Sequence, residues 1–185
     1  MNCYIVGIGE TLRPNSTTEM AMRHVLTAAA RAGARVRSLS ADELRLPLYQ
    51  PDAPERDGVS KCLVSELAAA DGIVLASPGY HGSISGLMKN ALDYAEDLRG
   101  DQRPYFSGRP VGCIAAAGGW PGAVNTLNAL RDIVHALRGW PTPLGVAINS
   151  SDRVFDASGV CNSQRISQAL DIMADEILGF IGIRR

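Results

Sequence analysis

Ser77-Pro78-Gly79-Tyr80-His81-Gly82-Ser83 sets glycines, hydroxyls, a phenol and an imidazole directly behind the apolar run Ile73-Val74-Leu75-Ala76. The pattern predicts a buried strand that breaks at a Pro-Gly turn and leads into an amphipathic helix carrying Leu87, Ala91, Leu92, Ala95 and Leu98 on one face. With no Cβ at Gly79, Gly82 and Gly86, the backbone N–H and C=O groups of such a turn can approach a flat ligand closely. A planar heterocycle suits that wall. Tyr80 offers aromatic surface, Ser83 a hydroxyl and His81 an imidazole, and residue type leaves open whether each serves a ligand or is plain loop surface.

Two further glycine loops carry related chemistry. In Gly7-Ile8-Gly9-Glu10-Thr11-Leu12-Arg13-Pro14-Asn15-Ser16-Thr17-Thr18-Glu19, the first two glycines match G-x-G-x-x-G, but Leu12 holds the third position and the helix starts later, which argues against a dinucleotide fingerprint. What remains is Thr11, Ser16, Thr17 and Thr18 around Arg13 at a helix entrance. Exposed N–H groups, the positive end of the helix dipole, hydroxyls and a guanidinium suit a phosphate monoester. Ser16-Thr17-Thr18-Glu19 is equally a capping box, which needs no ligand. Glu10 opposes a phosphate unless it points away or pairs with Arg13. In Gly118-Gly119-Trp120-Pro121-Gly122, close backbone approach again precedes a helix, with Trp120 as a lid or an interface anchor. Trp140 reads as packing, His24 as a core or interface histidine, and His135 has no evident partner.

The elements that must position these loops alternate without interruption. Strands are expected at Cys3–Ile8, Ala34–Leu39, Gly72–Ala76, Val111–Ala117 and Pro143–Ile148. Helices are expected at about 17–32 and 59–70, over Leu87 to Leu98, over Leu127 to Leu137, and from Ile166 to Ile181. This is the pattern of an α/β domain with a doubly wound five-stranded parallel sheet of order 2-1-3-4-5, helices on both faces and right-handed crossovers. The loops after Ile8, Ala76 and Ala117 then share the carboxyl edge of the sheet, where such folds bind ligands. The aperiodic segment from Leu46 to Gly58, with three prolines, is a loop. At 185 residues the chain suits a single domain over 1–185.

Composition narrows the function classes. A net charge of −1 with mixed signs gives no nucleic-acid footprint. The four cysteines lie far apart, without metal-ligand spacing, and read as free thiols. No apolar run approaches the ~20 residues of a membrane span, and no basic leader precedes the first strand, so a cytoplasmic protein is expected.

The run Pro78-Gly79-Tyr80-His81-Gly82-Ser83, followed by Gly86-Leu87-Met88-Lys89-Asn90-Ala91-Leu92-Asp93, resembles the P-x-Y-x-G-S and G-x-L-K-N-A-L-D signature of the NADPH-dependent FMN reductases, a flavodoxin-like family. The Gly-Gly turn and the Leu-Pro-Leu-Tyr loop extend the resemblance over nearly the whole chain. The first loop departs from the family's pattern, with Glu10 and Thr11 where Gly and Ser are usual. The resemblance implies FMN as cofactor, its phosphate held by Thr11, Arg13, Ser16 and Thr17. It implies an isoalloxazine lined by Pro78, Gly79, Tyr80, His81, Gly82 and Ser83 and closed by Gly118 and Gly119. The implied activity is hydride transfer from NADPH or NADH to flavin N5, with no catalytic side chain assigned and no metal. Reduced flavin or electrons would pass to a monooxygenase, a quinone or an azo compound, from a homodimer or homotetramer. Whether FMN is held permanently or visits as a substrate stays open at this level. So do two other readings: a one-electron carrier, disfavoured by the near-neutral charge, and a family member without flavin binding.

Overall fold

The computed structural model describes residues 3–9, 13–52 and 55–182. Its sheet starts from β1 (Tyr4–Ile8), buried at every position because it lies between two neighbours. It pairs in parallel with β2 (Arg35–Leu39) on one side and β3 (Gly72–Tyr80) on the other. β3 then pairs in parallel with β5 (Pro110–Ala117), after the short β4 (Ser83–Ile84), which turns back antiparallel on β3. The expected order holds through these strands.

The last position of the sheet is split. Where one strand over Pro143–Ile148 is expected, two short pieces, β6 (Trp140–Pro141) and β7 (Val146–Asn149), both pair with β5. The ladder to β5 runs through the N–H groups of Trp140 and Thr142, which donate to the Arg109 and Val111 carbonyls, and it stops at Leu144, whose N–H donates to Glu176 Oε2 at 3.0 Å instead.

Five helices cover the two faces: α1 (Thr17–Arg31), α2 (Gly58–Ala69), α3 (Gly86–Asp93), α4 (Trp120–Ala136) and α5 (Gln164–Ile181). Strand alternation divides the core between them. Ile5, Val74, Ala76, Ile114 and Ala116 pack with Met22, Val25, Leu170, Met173 and Ile177 of α1 and α5. Val6, Ile8, Ile73, Leu75 and Cys113 pack with Leu63, Leu67, Leu92 and Leu130 of the other helices. Four of the five helix starts have side-chain caps: Ser16, Asp57, Ser85 and Ser163 accept first-turn N–H groups for α1, α2, α3 and α5, while α4 starts after Gly119 without one. The apolar face expected to run to Leu98 is helical only to Asp93, after which a 3₁₀ turn (Tyr94–Leu98) buries Ala95 and Leu98.

β3 differs from expectation in a way that shapes the site. The strand does not break at Pro78 but continues, pairing Ser77 with Ala115 and Pro78 with Ala116. β1 has already ended, its last pairing on β3 being Ile8 with Leu75, so the missing N–H of Pro78 costs no hydrogen bond on that side. The chain reverses instead at His81-Gly82, where φ is +53° and +87°. Two successive positive φ values mark the two-residue hairpin turn whose twist matches the flanking strands.

Candidate functional site

The loops after β1, β3 and β5 converge at the carboxyl edge of the sheet around a cavity of about 320 Å³. Arg13, Asn15, Ser16, Thr17 and Thr18 form one end, while Pro78-Gly79-Tyr80 and Ala116-Ala117-Gly118 form two walls, with Ser150 beside them. A somewhat larger depression across α1 and α5 shares Asn15 with this cavity but neither the β3 nor the β5 loop, and contains the His24–Asp171 pair at 3.0 Å. Convergence of the loops, rather than volume, identifies the site.

At the polar end the capping reading and the anion reading both find support. Ser16 Oγ accepts the Glu19 N–H at 3.2 Å and lies 3.1 Å from Thr18 Oγ1. The reciprocal half of the capping box is replaced, because Glu19 pairs with Arg23 at 2.6 Å. Its charge is therefore already compensated. The N–H groups of Thr17 and Thr18 at the start of α1 make no hydrogen bond among the described residues. They point, with the Arg13 guanidinium and the local hydroxyls, to an anion at the positive end of a 15-residue helix. No carboxylate lines the cavity among the described residues. Thr11 and Glu10 lie outside the described residues.

The walls are built from backbone. Ser77 Oγ accepts the Ser85 N–H and donates to the Pro78 carbonyl, each at 3.0 Å, tying the base of the hairpin together. The absence of a side chain at Gly79 serves packing as much as ligand approach: a Cβ there would stand 2.5 Å from Thr126 Oγ1 and 3.1 Å from the Ala117 Cβ. Gly82 serves the turn through its φ. Gly118 is different, since a Cβ there would meet nothing within 4 Å.

Of the residues singled out from sequence, Arg13, Ser16, Thr17, Thr18, Pro78, Gly79, Tyr80 and Gly118 come together on the cavity. His81, Gly82 and Ser83 sit at the exposed hairpin tip beyond the lining, and Gly119 serves as the N-terminal cap position of α4. Asn15, Ala116, Ala117 and Ser150 line the cavity without having been singled out. The signal for Ser150 was available: it begins the 3₁₀ turn (Ser150–Asp152) after β7, a fourth loop at the same sheet edge, and Ser151 Oγ donates to the Gly118 carbonyl at 3.1 Å. Asn15, at φ +54°, is a backbone kink that residue type alone does not announce.

The lining offers redox chemistry little help from side chains. Among the described residues its titratable groups are Arg13 and the phenol of Tyr80, which is 60% exposed. Among the described residues no cluster of three or more His, Cys, Asp or Glu could hold a metal ion, and no helix is long and apolar enough to cross a membrane.

A family model described as NADPH-dependent FMN reductase matches residues 4–152. An FMN-dependent NADPH-azoreductase of Staphylococcus aureus is 35% identical over 123 residues, 65% of this chain and 62% of that protein, so the match spans less than two thirds of the relative's length. Among solved structures, an oxidoreductase from Corynebacterium diphtheriae superposes with a TM-score of 0.73 at 21% identity, covering 100% of this chain and 99% of its own. A WrbA-like flavodoxin from Agrobacterium tumefaciens gives 0.64 at 16% identity, covering 99% and 100%. These structures share the flavodoxin-like fold with this chain.

Proposed function

The chain belongs to the NADPH-dependent FMN reductase family, and from that premise we propose that it binds FMN at the carboxyl edge of the sheet and reduces it with NADPH or NADH. The observation that carries this reading is the polarity of the cavity. One end gathers the Arg13 guanidinium, hydroxyls and unpaired first-turn N–H groups, and the other is two flat stretches of backbone with the Tyr80 ring. A phosphate ester fits the first and a planar ring the second.

Arg13, Ser16 and Thr17, with Thr11, are assigned to the FMN phosphate. Pro78, Gly79 and Tyr80 face the isoalloxazine from β3, with Gly118 opposite, and His81, Gly82, Ser83 and Gly119 flank these walls. When bound, the flavin supplies the redox chemistry, accepting hydride from the nicotinamide and passing electrons on. The chain's own residues bind and orient, and no side-chain acid or base is assigned. Azo compounds, quinones or a flavin-dependent monooxygenase are the proposed acceptors. The whole chain acts as one flavin-binding domain, in the cytoplasm, as a homodimer or homotetramer.

The test is the absorbance spectrum of the purified protein together with NADPH and NADH oxidation, with and without added FMN and with an azo dye or quinone as acceptor. Turnover that depends on flavin is expected. Flavin binding without turnover of either nucleotide overturns the reductase in favour of an electron carrier, and absence of flavin binding overturns the site.

A further inference from the structure

A second cavity, of about 440 Å³, adjoins the polar end of the first. The two share Arg13, Asn15 and Thr17 at the end assigned to the phosphate, and Ser150 beside the β5 wall. Beyond that shared rim the second cavity is lined by Met20, Arg153, Val154, Phe155, Asp156 and Ala157. Each cavity has the size of a small-molecule site, about 300–1,000 Å³.

The chemistry of the second cavity changes along its length. Next to the rim stands Arg153, held at φ +47° and ψ +51° after the Ser150–Asp152 turn; its guanidinium makes no hydrogen bond or ion pair among the described residues. Further on, Met20, Val154 and Phe155 provide an apolar floor that continues into the α1/α5 core. The carboxylate in the wall, Asp156, is engaged elsewhere: its Oδ1 accepts the N–H groups of Ser158 and Val160 and the Ser158 hydroxyl, at 2.7 to 3.0 Å. Two guanidiniums, Arg13 and Arg153, therefore face this rim. A cation followed by an apolar floor suits a second phosphate followed by a purine.

Resting on the flavin reading above, we propose that the site also accepts the flavin as its adenine dinucleotide, FAD, with the second phosphate beside Arg153 and the adenosine over Met20, Val154 and Phe155. A mononucleotide would leave this second cavity unused. The chain path favours FAD over the adenosine half of NADPH, because the cavity continues from the phosphate end, whereas the nicotinamide must reach the ring walls.

The experiment is titration of the purified protein with FMN, FAD and riboflavin, followed by flavin fluorescence, for the natural chain and for Arg153→Gln. The expected result is FAD binding within tenfold of FMN. Arg153→Gln should raise the Kd for FAD at least fivefold while changing that for FMN less than twofold, so that FMN binding itself reports a folded site. FMN binding with FAD weaker by more than tenfold overturns this inference and leaves the reductase reading standing, as does an equal effect of Arg153→Gln on both flavins. An Arg153→Gln effect on the KM for NADPH in place of FAD affinity overturns it in favour of the pyridine nucleotide. Binding of neither flavin overturns the reductase reading itself.

Discussion

Asn90 holds Tyr49 by its backbone: the side-chain Oδ1 of Asn90 accepts the Tyr49 N–H at 2.9 Å, while its Nδ2 donates to the Pro47 carbonyl at 2.9 Å. The asparagine of the Lys89-Asn90-Ala91-Leu92-Asp93 motif thus serves as a clamp on the proline-rich loop that follows β2. Tyr94 completes the clamp, its hydroxyl donating to the same Pro47 carbonyl at 3.0 Å and its ring meeting that of Tyr49 edge-on at 5.2 Å. Arg56 lies over the Tyr49 ring and pairs with Asp97 at 2.7 Å. A segment without periodicity is ordered by side chains, and it presents Leu48 at 79% exposure.

Replacing Asn90 with Ala leaves the Tyr49 N–H without its partner, and a lost partner for a partly buried donor costs about 1–3 kcal/mol. Urea denaturation should show that loss, and hydrogen exchange at the Tyr49 amide should accelerate. Flavin affinity should stay within twofold, since Asn90 does not line the cavity. An Asn90→Ala protein with unchanged stability would show that the clamp contributes nothing.

Gly118→Leu fills space that is open in front of the β5 wall. Flavin Kd should rise more than tenfold, with Tm unchanged within about 2 °C because no packed neighbour is displaced. Retained flavin affinity in a folded Gly118→Leu protein would place the ring elsewhere.

Arg13→Ala separates phosphate from ring. FMN affinity should fall about tenfold, equivalent to roughly 1.4 kcal/mol, while riboflavin, which lacks the phosphate, should be unaffected. Equal weakening of both ligands would mean that Arg13 serves the fold and not the phosphate.

Alkaline pH should destabilise the protein through two buried acids. Burial, and then the hydrogen bond to Glu66, push the Tyr4 phenol up to about 12, and burial pushes the Cys113 thiol up to about 12. Both are neutral when protonated, and the fold favours that form. In the unfolded chain they ionise near ~10 and ~8.5, so the unfolded state binds fewer protons across this window. Their contribution is complete below those values and is lost as pH rises toward about 12. Denaturation midpoints measured from pH 8 to 11 should fall, and Tyr4→Phe should flatten the part above ~10. A slope unaltered by Tyr4→Phe would rule out Tyr4 as a source.

Most of the architecture was legible in the chain because its signals are local. Val25, Ala28 and Ala29 recur at helical spacing, and the runs Ile73–Ala76 and Val111–Ala117 are continuously apolar, as strands buried on both faces must be. The placement of three loops on one sheet edge then followed from the doubly wound order. Boundaries at prolines were less legible. Pro78 stays inside β3, because β1 has ended before it, and the last strand divides at Leu144, whose N–H donates to Glu176 of α5 instead of continuing the ladder to β5.

The sequence by itself determined the fold class, the family motif and the region of the candidate site, since residue types and short-range periods suffice for these. The tertiary structure alone decided what each residue does there. Gly79 packs against Thr126 of α4, Glu19 turns to Arg23 instead of back to Ser16, Asn90 clamps Tyr49 across 41 positions of chain, and Ser150 joins the cavity from the last strand. The physical reason is the same in each case: these contacts join residues through the packing of separate elements, and spacing along the chain carries no information about the distance across it.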